Sequence, residues 1–164
     1  MNWYALYVKS RHEFVVSDEL HRKGVETFLP SVTKFNQWKD RKKQVETPLF
    51  PGYLFVCFEP NPEKFLNVIK TRGTVTFVCL QPGHPAQVDP EEINSLKIML
   101  ASGKPIDICP HLQEGAAVRI KRGIFQGAQG ILVKKQNQHK FIVTITLLGR
   151  SVGVNIYADD LEAV

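Results

Sequence analysis

Three glycines in the stretch RIKRGIFQGAQGIL, residues 119–132, are the first residues whose spacing could do chemistry. A glycine-rich turn cradles a phosphate when it joins a strand to the N-terminus of a helix, because backbone N–H groups and the helix dipole then converge on the anion. Here Gly123, Gly127 and Gly130 lie between the strand-like runs AVRIKR and GILVKK, and no helical pattern follows. We therefore interpret Gly123 and Gly127 as turn residues at positive φ, and Gly130 as a tight start of the next strand.

The other residues that could do chemistry are dispersed. Five histidines lie in polar stretches, and the sequence contains none of the motifs of serine hydrolases, P-loop enzymes, zinc proteases or dinucleotide-binding enzymes. The three cysteines are far apart and have no neighbours at zinc-ligand spacing, which favours reduced thiols in a cytoplasmic protein. No apolar run is long enough to span a bilayer, and the N-terminus lacks the pattern of a signal peptide. The sequence therefore predicts no enzyme, no cofactor, no metal site and no membrane attachment.

Basic residues offer a second kind of chemistry, the binding of an anionic partner. The chain of 164 residues has 21 Lys and Arg against 16 Asp and Glu, a net charge of +5. The densest basic run, KFNQWKDRKK at residues 34–43, predicts a protruding hairpin, for which phosphate contact and a solvated tip are equally open. Lys9, Arg11, Lys70 and Arg72 flank strand and helix ends, where they could join one face.

Behind these candidates, hydrophobic periodicity predicts alternating strands and helices over residues 1–102. Ser10 and Glu13 form a capping box that opens the first helix, which ends at Gly24. Two further helices begin after Asn61 and Asp89, each followed by proline. Strands are predicted at WYALYV, ETFLP, PGYLFVCF and TVTFVCL, and PGYLFVCF is apolar enough to be covered on both faces. The pattern predicts an α+β domain of the split β-α-β kind, with helices on a mostly antiparallel sheet.

The remaining residues predict a second, smaller domain. Residues 103–114 contain two prolines and no periodicity, which indicates a flexible linker. Residues 115–164 contain only short strands, at AVRI, GILVKK, FIVTITLL and SVGVNIY, which is typical of a small closed β-barrel. The density of β-branched residues and the recurring glycines disfavour a helical alternative, so we expect a constitutive five-stranded barrel.

Several stretches resemble one family in the right order along nearly the whole chain. VRIKRGIFQGAQGILV resembles a KOW motif, and LLGRSVGVNIYADDLEAV resembles the end of NusG carboxyl domains. WYALYVKSRHE, FLP, PLFPGYLFV and TRG resemble the amino-terminal domain of the same family. RKKQVETPLFPGYLFV is more similar to the specialised paralogs RfaH, UpxY and LoaP than to housekeeping NusG. The resemblance implies a NusG amino-terminal-like domain at 1–102, a linker at 103–114 and an SH3-like KOW barrel at 115–164.

The family implies a non-enzymatic transcription elongation or antitermination factor that binds the clamp helices of RNA polymerase and suppresses pausing. By resemblance, the polymerase-binding residues are Ala5, Tyr53 and Phe55. Strand alternation independently places Tyr53, Phe55 and Cys57 on one face, where exposed aromatics would mark a protein-binding surface. Without the resemblance, packing under a helix explains these residues better. With it, we expect the aromatic surface to be accessible.

Specialised members of the family also contact the non-template DNA strand. The resembling positions here are Lys9, Arg11, His12, Thr71 and Arg72. A His-Thr-Thr motif that contacts the far side of the polymerase cleft in RfaH is replaced here by residues 64–66, Lys-Phe-Leu, so that contact is not expected.

The KOW barrel of the family recruits a small-subunit ribosomal protein or the termination factor Rho. The resembling residues are Ile124, Phe125, Leu147, Leu148 and Arg150. Two alternatives stay open: a housekeeping NusG that works with Rho, and a KOW-containing ribosome-associated protein that binds RNA. In each case we expect a monomer.

Overall fold

The computed structural model describes residues 1–38, 41–109, 115–135, 138–156 and 161–164, and within these ranges it leaves out the side chains of residues 35–38, 41, 42, 135 and 161. The chain forms two compact units, Met1–Gln87 and Val88–Val164. Each unit is described by itself. Three α-helices and mostly antiparallel sheets are present in the described ranges, as the sequence predicts at this coarse level.

The first unit has an α+β architecture. Its elements, in chain order, are β1 (Asn2–Val8), α1 (Glu13–Arg22), β2 (Glu26–Phe28), β3 (Ser31–Trp38), β4 (Arg41–Pro48), β5 (Tyr53–Phe58), α2 (Pro62–Ile69), β6 (Thr74–Phe77), β7 (Cys79–Gln81), β8 (His84–Pro85) and β9 (Gln87–Val88). The main sheet has the order β2-β5-β1-β6, and β9 also pairs with β1. β5 is an inner strand whose residues after Tyr53 are all buried, as its continuous apolar run predicts.

The core of the first unit lies on one face of this sheet. β1 contributes Tyr4, Leu6 and Val8, and β5 contributes alternate residues of its run. Buried residues of both helices, such as Val16 of α1 and Val68 of α2, complete the cluster. Because side chains alternate along a strand, the odd-numbered residues of β1 and β5 face the opposite side.

The first helix does not begin as the capping box predicts. Its N-cap is His12, which makes no side-chain capping hydrogen bond, and Ser10 lies in the preceding turn. Glu13 is buried, and its Oε1 accepts a hydrogen bond from the backbone N–H of Gly52 at 2.9 Å, which compensates for that burial. The predicted capping box is therefore wrong, since tertiary contact with the loop before β5 uses the glutamate instead. The other two helices have the predicted caps: Asn61 accepts from the N–H of Lys64, and Asp89 from that of Glu91.

The hairpin predicted at the basic run is present. β3 and β4 pair in antiparallel register from Ser31 opposite Pro48 to Trp38 opposite Arg41. Lys39 lies outside the described residues, as do the side chains of Trp38, Arg41 and Lys42. The described lysines of this run, Lys34 and Lys43, are exposed.

The second unit is built on a six-stranded antiparallel sheet. Its elements are α3 (Pro90–Ala101), β10 (Asp107–Cys109), β11 (Ala116–Ile120), β12 (Gln129–Lys135), β13 (Gln138–Ile145), a 3-10 helix (Thr146–Leu148), β14 (Arg150–Ile156) and β15 (Leu161–Ala163). The sheet order is β10-β14-β13-β12-β11-β15. The predicted strand FIVTITLL ends at Ile145, and its last residues form the 3-10 helix because Gly149 closes that turn at φ +60.

The division of the chain differs from the predicted one in two respects. The two compact units divide after Gln87 and α3 is described with the second, whereas the sequence predicts a first domain that extends to residue 102. The segment predicted as a linker contains β10, which pairs with β14 from Asp107 opposite Gly153 to Cys109 opposite Ser151. Residues 110–114 of that segment lie outside the described residues. No helix in the described ranges is long and apolar enough to cross a membrane.

Candidate functional site

The glycine turn of the second unit is structural. Gly123 and Gly127 adopt φ of +90 and +88, which confirms their interpretation as turn residues. A Cβ on Gly130 would lie 2.3 Å from the carbonyl oxygen of Ile142 and 2.9 Å from the ring of Phe141, so the neighbouring strand closes on this position. A strand follows the turn, and no helix N-terminus is available to bind a phosphate here.

An aromatic surface lies on the face of the first sheet that points away from its core. The register pairs Trp3 with Cys57, Ala5 with Phe55 and Tyr7 with Tyr53 across β1 and β5. The Tyr7 and Tyr53 rings are in contact, with centroids 5.4 Å apart, and Tyr7 is 43% exposed. We call Tyr7 and Tyr53 the tyrosine pair. Tyr7 was missed by the sequence analysis, although alternation along WYALYV puts it on the same face as Ala5.

The predicted exposure of this surface is wrong for two of its three residues. Ala5 and Phe55 are fully buried, while Tyr53 is half-buried. Phe55 packs against two other rings, with centroids 6.1 Å from Phe28 and 6.5 Å from Phe50. Both rings therefore contribute to the burial of Phe55.

The turn that carries Tyr53 is held rigidly beside Tyr7. Gly52 adopts φ +87 and lies against Tyr7, whose Cε2 would be 3.2 Å from a Cβ at this position. The N–H of Val8 donates to the carbonyl of Gly52 at 2.8 Å, and Glu13 accepts from the N–H of Gly52. The tyrosine pair is therefore positioned by hydrogen bonds to both sides of a single glycine.

Basic residues that are far apart in the sequence meet at two adjoining turns. The N–H of His12 donates to the carbonyl of Lys9 at 3.0 Å, and Arg11 within this turn has a left-handed φ of +63. The N–H of Lys9 donates to the carbonyl of Gly73 at 2.8 Å, which joins the turn to residues 70–73. Left-handed backbone costs a residue with a side chain on the order of 1 kcal/mol, so the surroundings hold Arg11 in place. Lys9, Arg11 and Arg72 are exposed, and within the described ranges none of them forms an ion pair.

The other two predicted residues of this group have different positions. Thr71 is buried, and its Oγ1 donates to the carbonyl of Asn67 and accepts from the amine of Lys23 at 3.0 Å. These two bonds use the single donor and one of the two acceptor positions of the hydroxyl, and they fix Thr71 in the packing between the end of α2 and Lys23. His12 is half-buried, with Nδ1 2.8 Å from the carbonyl of Ser10. Lys23 itself carries no sequence signal beyond its charge, since only the fold brings the end of α1 to Thr71.

In the second unit, the loops predicted to bind a partner are partly exposed. Ile124 is 55% exposed, Arg150 is exposed, and Leu147 and Leu148 are half-buried. Phe125 is buried, which corrects its predicted place on the surface. The turn folds back on itself, since Gly127 and Ala128 donate to the carbonyls of Ile120 and Phe125, and this inserts the ring into the core.

Helix α3 holds these loops through polar contacts. The hydroxyl of Ser95, which is fully buried, accepts from the N–H of Gln129 at 2.8 Å. The carboxylate of Glu92 accepts from both the N–H and the hydroxyl of Thr146, at 3.1 and 2.5 Å. Burial raises the pKa of Glu92 above its ordinary value of 4.5, although the hydrogen bonds from Thr146 act in the opposite direction.

Across the described residues, no group of three or more His, Cys, Asp or Glu side chains is placed to hold a metal ion. The arrangement consists of an aromatic surface, a basic turn and a pair of loops, and each is suited to binding a partner.

Comparison with known proteins gives one family. A family model described as transcription termination factor nusG matches residues 1–97. The chain is 25% identical to the transcription termination/antitermination protein NusG of Borreliella burgdorferi, across 99% of this chain and 98% of that protein. It is 29% identical to the protein of the same name from Chlamydia trachomatis, across 98% of this chain and 91% of the relative. A solved structure described as domain interaction in Thermotoga maritima NusG is similar in fold, with a TM-score of 0.51 and 22% identity, covering 99% of this chain and 97% of the other.

Proposed function

The chain belongs to the NusG family, and from this premise we propose that its tyrosine pair is the main contact with RNA polymerase. Members of this family act with RNA polymerase as transcription factors, not as enzymes, and this chain is a transcription elongation and antitermination factor. The observation that supports the proposal is the exposure of Tyr7 beside Tyr53, on a face where Ala5 and Phe55 are buried. Aromatic side chains dominate such interfaces because they bury a large area at little cost in conformational entropy. Ala5 and Phe55 would then support the pair from below.

The test is the double variant Tyr7→Ala with Tyr53→Ala. Central aromatic anchors contribute about 2 kcal/mol or more each, so the loss of both corresponds to about 4 kcal/mol and affinity for the clamp helices should fall by roughly several hundredfold. Val75→Ala with Leu80→Ala is the matched control, because both residues are exposed apolar positions of the same unit. Binding to purified core polymerase is measured by biolayer interferometry, with circular dichroism to confirm folding. Unchanged affinity in a folded double variant would rule out this surface.

We also propose that Lys9, Arg11 and Arg72 contact the non-template DNA strand. Support comes from their exposure, their lack of ion pairs within the described ranges and the backbone hydrogen bond that joins their two turns. Each cation that neutralises a phosphate of a single strand contributes about 0.7 to the slope of log affinity against log salt. Replacing all three by alanine is expected to lower that slope by about 2. A slope equal to that of the unaltered chain would refute the assignment.

For the second unit, we propose a KOW barrel that recruits a small-subunit ribosomal protein or Rho. Ile124, Leu147, Leu148 and Arg150 would form its contact surface, with Phe125 supporting it from the core. The double variant Ile124→Ser with Arg150→Ala is expected to abolish chemical-shift changes in the loops when either partner is added. Shift changes of undiminished size would place the partner elsewhere on the unit.

The partner of the second unit distinguishes three hypotheses: a specialised paralog, a housekeeping NusG and a ribosome-associated RNA-binding protein. The specialised reading, which we favour from RKKQVETPLFPGYLFV, expects binding of the ribosomal protein without stimulation of Rho-dependent termination. Stimulation of Rho would instead indicate a housekeeping NusG. A ribosome-associated RNA-binding protein is disfavoured, since a KOW motif alone does not explain the match over residues 1–97. In the specialised reading, the protein acts as a monomer in the cytoplasm.

A further inference from the structure

A basic cleft lies between the end of α1 and the outer side of α2, next to the basic turn. It has a volume of about 470 Å³, and its lining includes Lys23, Lys64, Lys70, Glu63 and Leu66. The lining residues include three lysines and one glutamate, so the cleft carries a net positive charge. Leu66 is 50% exposed and adds an apolar surface. The cleft belongs entirely to the first unit.

The lysines of the cleft are available to an outside anion. In the part of the chain that the structure describes, Lys23, Lys64 and Lys70 form no ion pair with a carboxylate. The amine of Lys23 is oriented by its hydrogen bonds to Thr71 and to the carbonyl of Asn67, the latter at 3.4 Å. An ammonium group has three donors, so Lys23 keeps one for a ligand while its position is fixed.

The cleft and the basic turn are joined by the backbone of residues 70–73. Lys70 and Arg72 flank Thr71 in the same turn, and Thr71 accepts the hydrogen bond from Lys23. The next residue, Gly73, accepts from the N–H of Lys9. A single turn therefore connects the cations of the cleft with those of the basic turn.

The spacing of two cleft lysines along α2 is close to the length of a short piece of a stacked nucleic-acid strand. Lys64 and Lys70 are six residues apart, and α2 extends over Pro62–Ile69. At 1.5 Å per residue this spacing is about 9 Å along the helix axis. A stacked strand advances 3.4 Å per nucleotide, so the cleft would take about three nucleotides.

We propose that this cleft binds the sugar-phosphate backbone of a single-stranded nucleic acid and extends the contact made by Lys9, Arg11 and Arg72. The inference rests on the proposed function, because those three residues supply the point from which the strand enters. An acidic protein segment would find the same charges, but the connection through residues 70–73 favours one continuous polyanion over a separate partner. Leu66 would contact a base or sugar, as apolar surface does in sequence-tolerant strand binding.

The experiment compares three variants of the full chain. The cleft variant is Lys23→Gln, Lys64→Gln and Lys70→Gln, and the turn variant is Lys9→Ala, Arg11→Ala and Arg72→Ala. The matched control, Lys104→Gln, Lys121→Gln and Lys134→Gln, removes the same charge from exposed lysines of the second unit. The probe is a fluorescent single-stranded oligodeoxynucleotide of mixed sequence, about 12 nucleotides long and within the range of single-strand binding sites. Its anisotropy is measured between about 50 and about 200 mM salt.

We expect the cleft variant to lower the salt slope by about 2, as three lost phosphate contacts require. Over that fourfold range of salt, the unaltered chain should lose roughly 20-fold more affinity than the cleft variant does. The control should keep the original slope. Shortening the probe by about three nucleotides should weaken the unaltered chain but not the cleft variant, since the cleft accounts for that length.

The outcomes separate the inference from the function on which it rests. If only the turn variant lowers the slope, the surface of Lys9, Arg11 and Arg72 stands and the cleft proposal is overturned. If neither variant lowers it, both fail. If the cleft variant keeps its slope for the oligonucleotide but loses binding of a polyglutamate competitor, the cleft accepts an acidic polypeptide and the proposal is likewise wrong. Thermal unfolding of each variant confirms that the loss is not one of folding.

Discussion

Replacing Gly130 by alanine should destabilise the second unit strongly, although alanine is ordinarily the better residue in a strand. The Cβ would lie 2.3 Å from the carbonyl oxygen of Ile142, which belongs to the neighbouring strand β13, and 2.9 Å from the buried ring of Phe141. Ordinary contact begins near 3.4 Å, so strand or ring must move by about 1 Å. Neither is the free end of a flexible side chain.

The magnitude follows from three contributions. Replacing a glycine in a strand interior by alanine raises the free energy of unfolding by about 0.5–1 kcal/mol, because alanine has less conformational freedom to lose on folding. Overpacking a closed core costs about 1–3 kcal/mol, and weakening two hydrogen bonds of the β12–β13 ladder adds about 1 kcal/mol each. The net loss in the free energy of unfolding is therefore about 2–4 kcal/mol. For a unit of this size, 1 kcal/mol corresponds to about 4–8 °C in Tm.

Gly153→Ala is the matched control, since Gly153 lies opposite Ile142 on the other side of β13. Its Cβ would meet Cys109 Sγ and Lys140 Cε at 3.0 Å, and both are side-chain atoms that can move. We expect its free energy of unfolding to change by less than about 1 kcal/mol. Hydrogen exchange of the β13 amides in the full chain gives the opening free energy of this unit directly. A loss below about 1 kcal/mol for Gly130→Ala, or one no larger than for Gly153→Ala, would refute the close-packing argument.

Two further predictions concern carboxylates that accept hydrogen bonds from backbone N–H groups. Glu13→Ala removes the acceptor of the Gly52 N–H and should cost about 1.5–3 kcal/mol in urea unfolding, whereas a cost near zero would show that the turn does not need it. Because burial raises the pKa of Glu92 above 4.5, its ionisation opposes folding, and stability that is present below pH 4.5 is lost as the pH rises through the folded pKa. Glu92→Gln should remove this loss. The free energy of unfolding of the variant, relative to that of the unaltered chain, should therefore be higher at pH 7 than at pH 4. Parallel curves of unfolding free energy against pH would contradict the prediction.

Local sequence signals predicted most elements of both units correctly. Alternation identified β1, the continuous apolar run identified β5 as an inner strand, and Asn61 and Asp89 cap their helices as expected. These signals succeed because a strand period or a cap depends on residues only a few positions apart. Ser10 fails for the opposite reason, since Glu13 is held by Gly52, which is 39 residues away.

The place of α3 could not be predicted from its pattern. Its apolar residues, such as Ile93 and Leu96, predict a helix with one buried side but do not indicate which neighbour covers that side. The hydrogen bonds that fix it come from polar residues, Ser95 to Gln129 and Glu92 to Thr146, which sequence reasoning assigns to solvent by default. Such pairs are 34 and 54 residues apart, so they are visible only in the folded chain.

The candidate sites share one feature that decides how they should be tested. Phe55, Thr71 and Phe125 were nominated by resemblance as contact residues, and all three are buried. Exposed residues lie beside two of them: Tyr7 is in contact with Tyr53 on the face of Phe55, and Lys23 donates to Thr71. Truncating a buried phenylalanine costs about 3–5 kcal/mol through the cavity alone, so loss of binding in such a variant would report on folding. Only substitutions at the exposed neighbours separate the energy of recognition from the energy that holds the surface in shape.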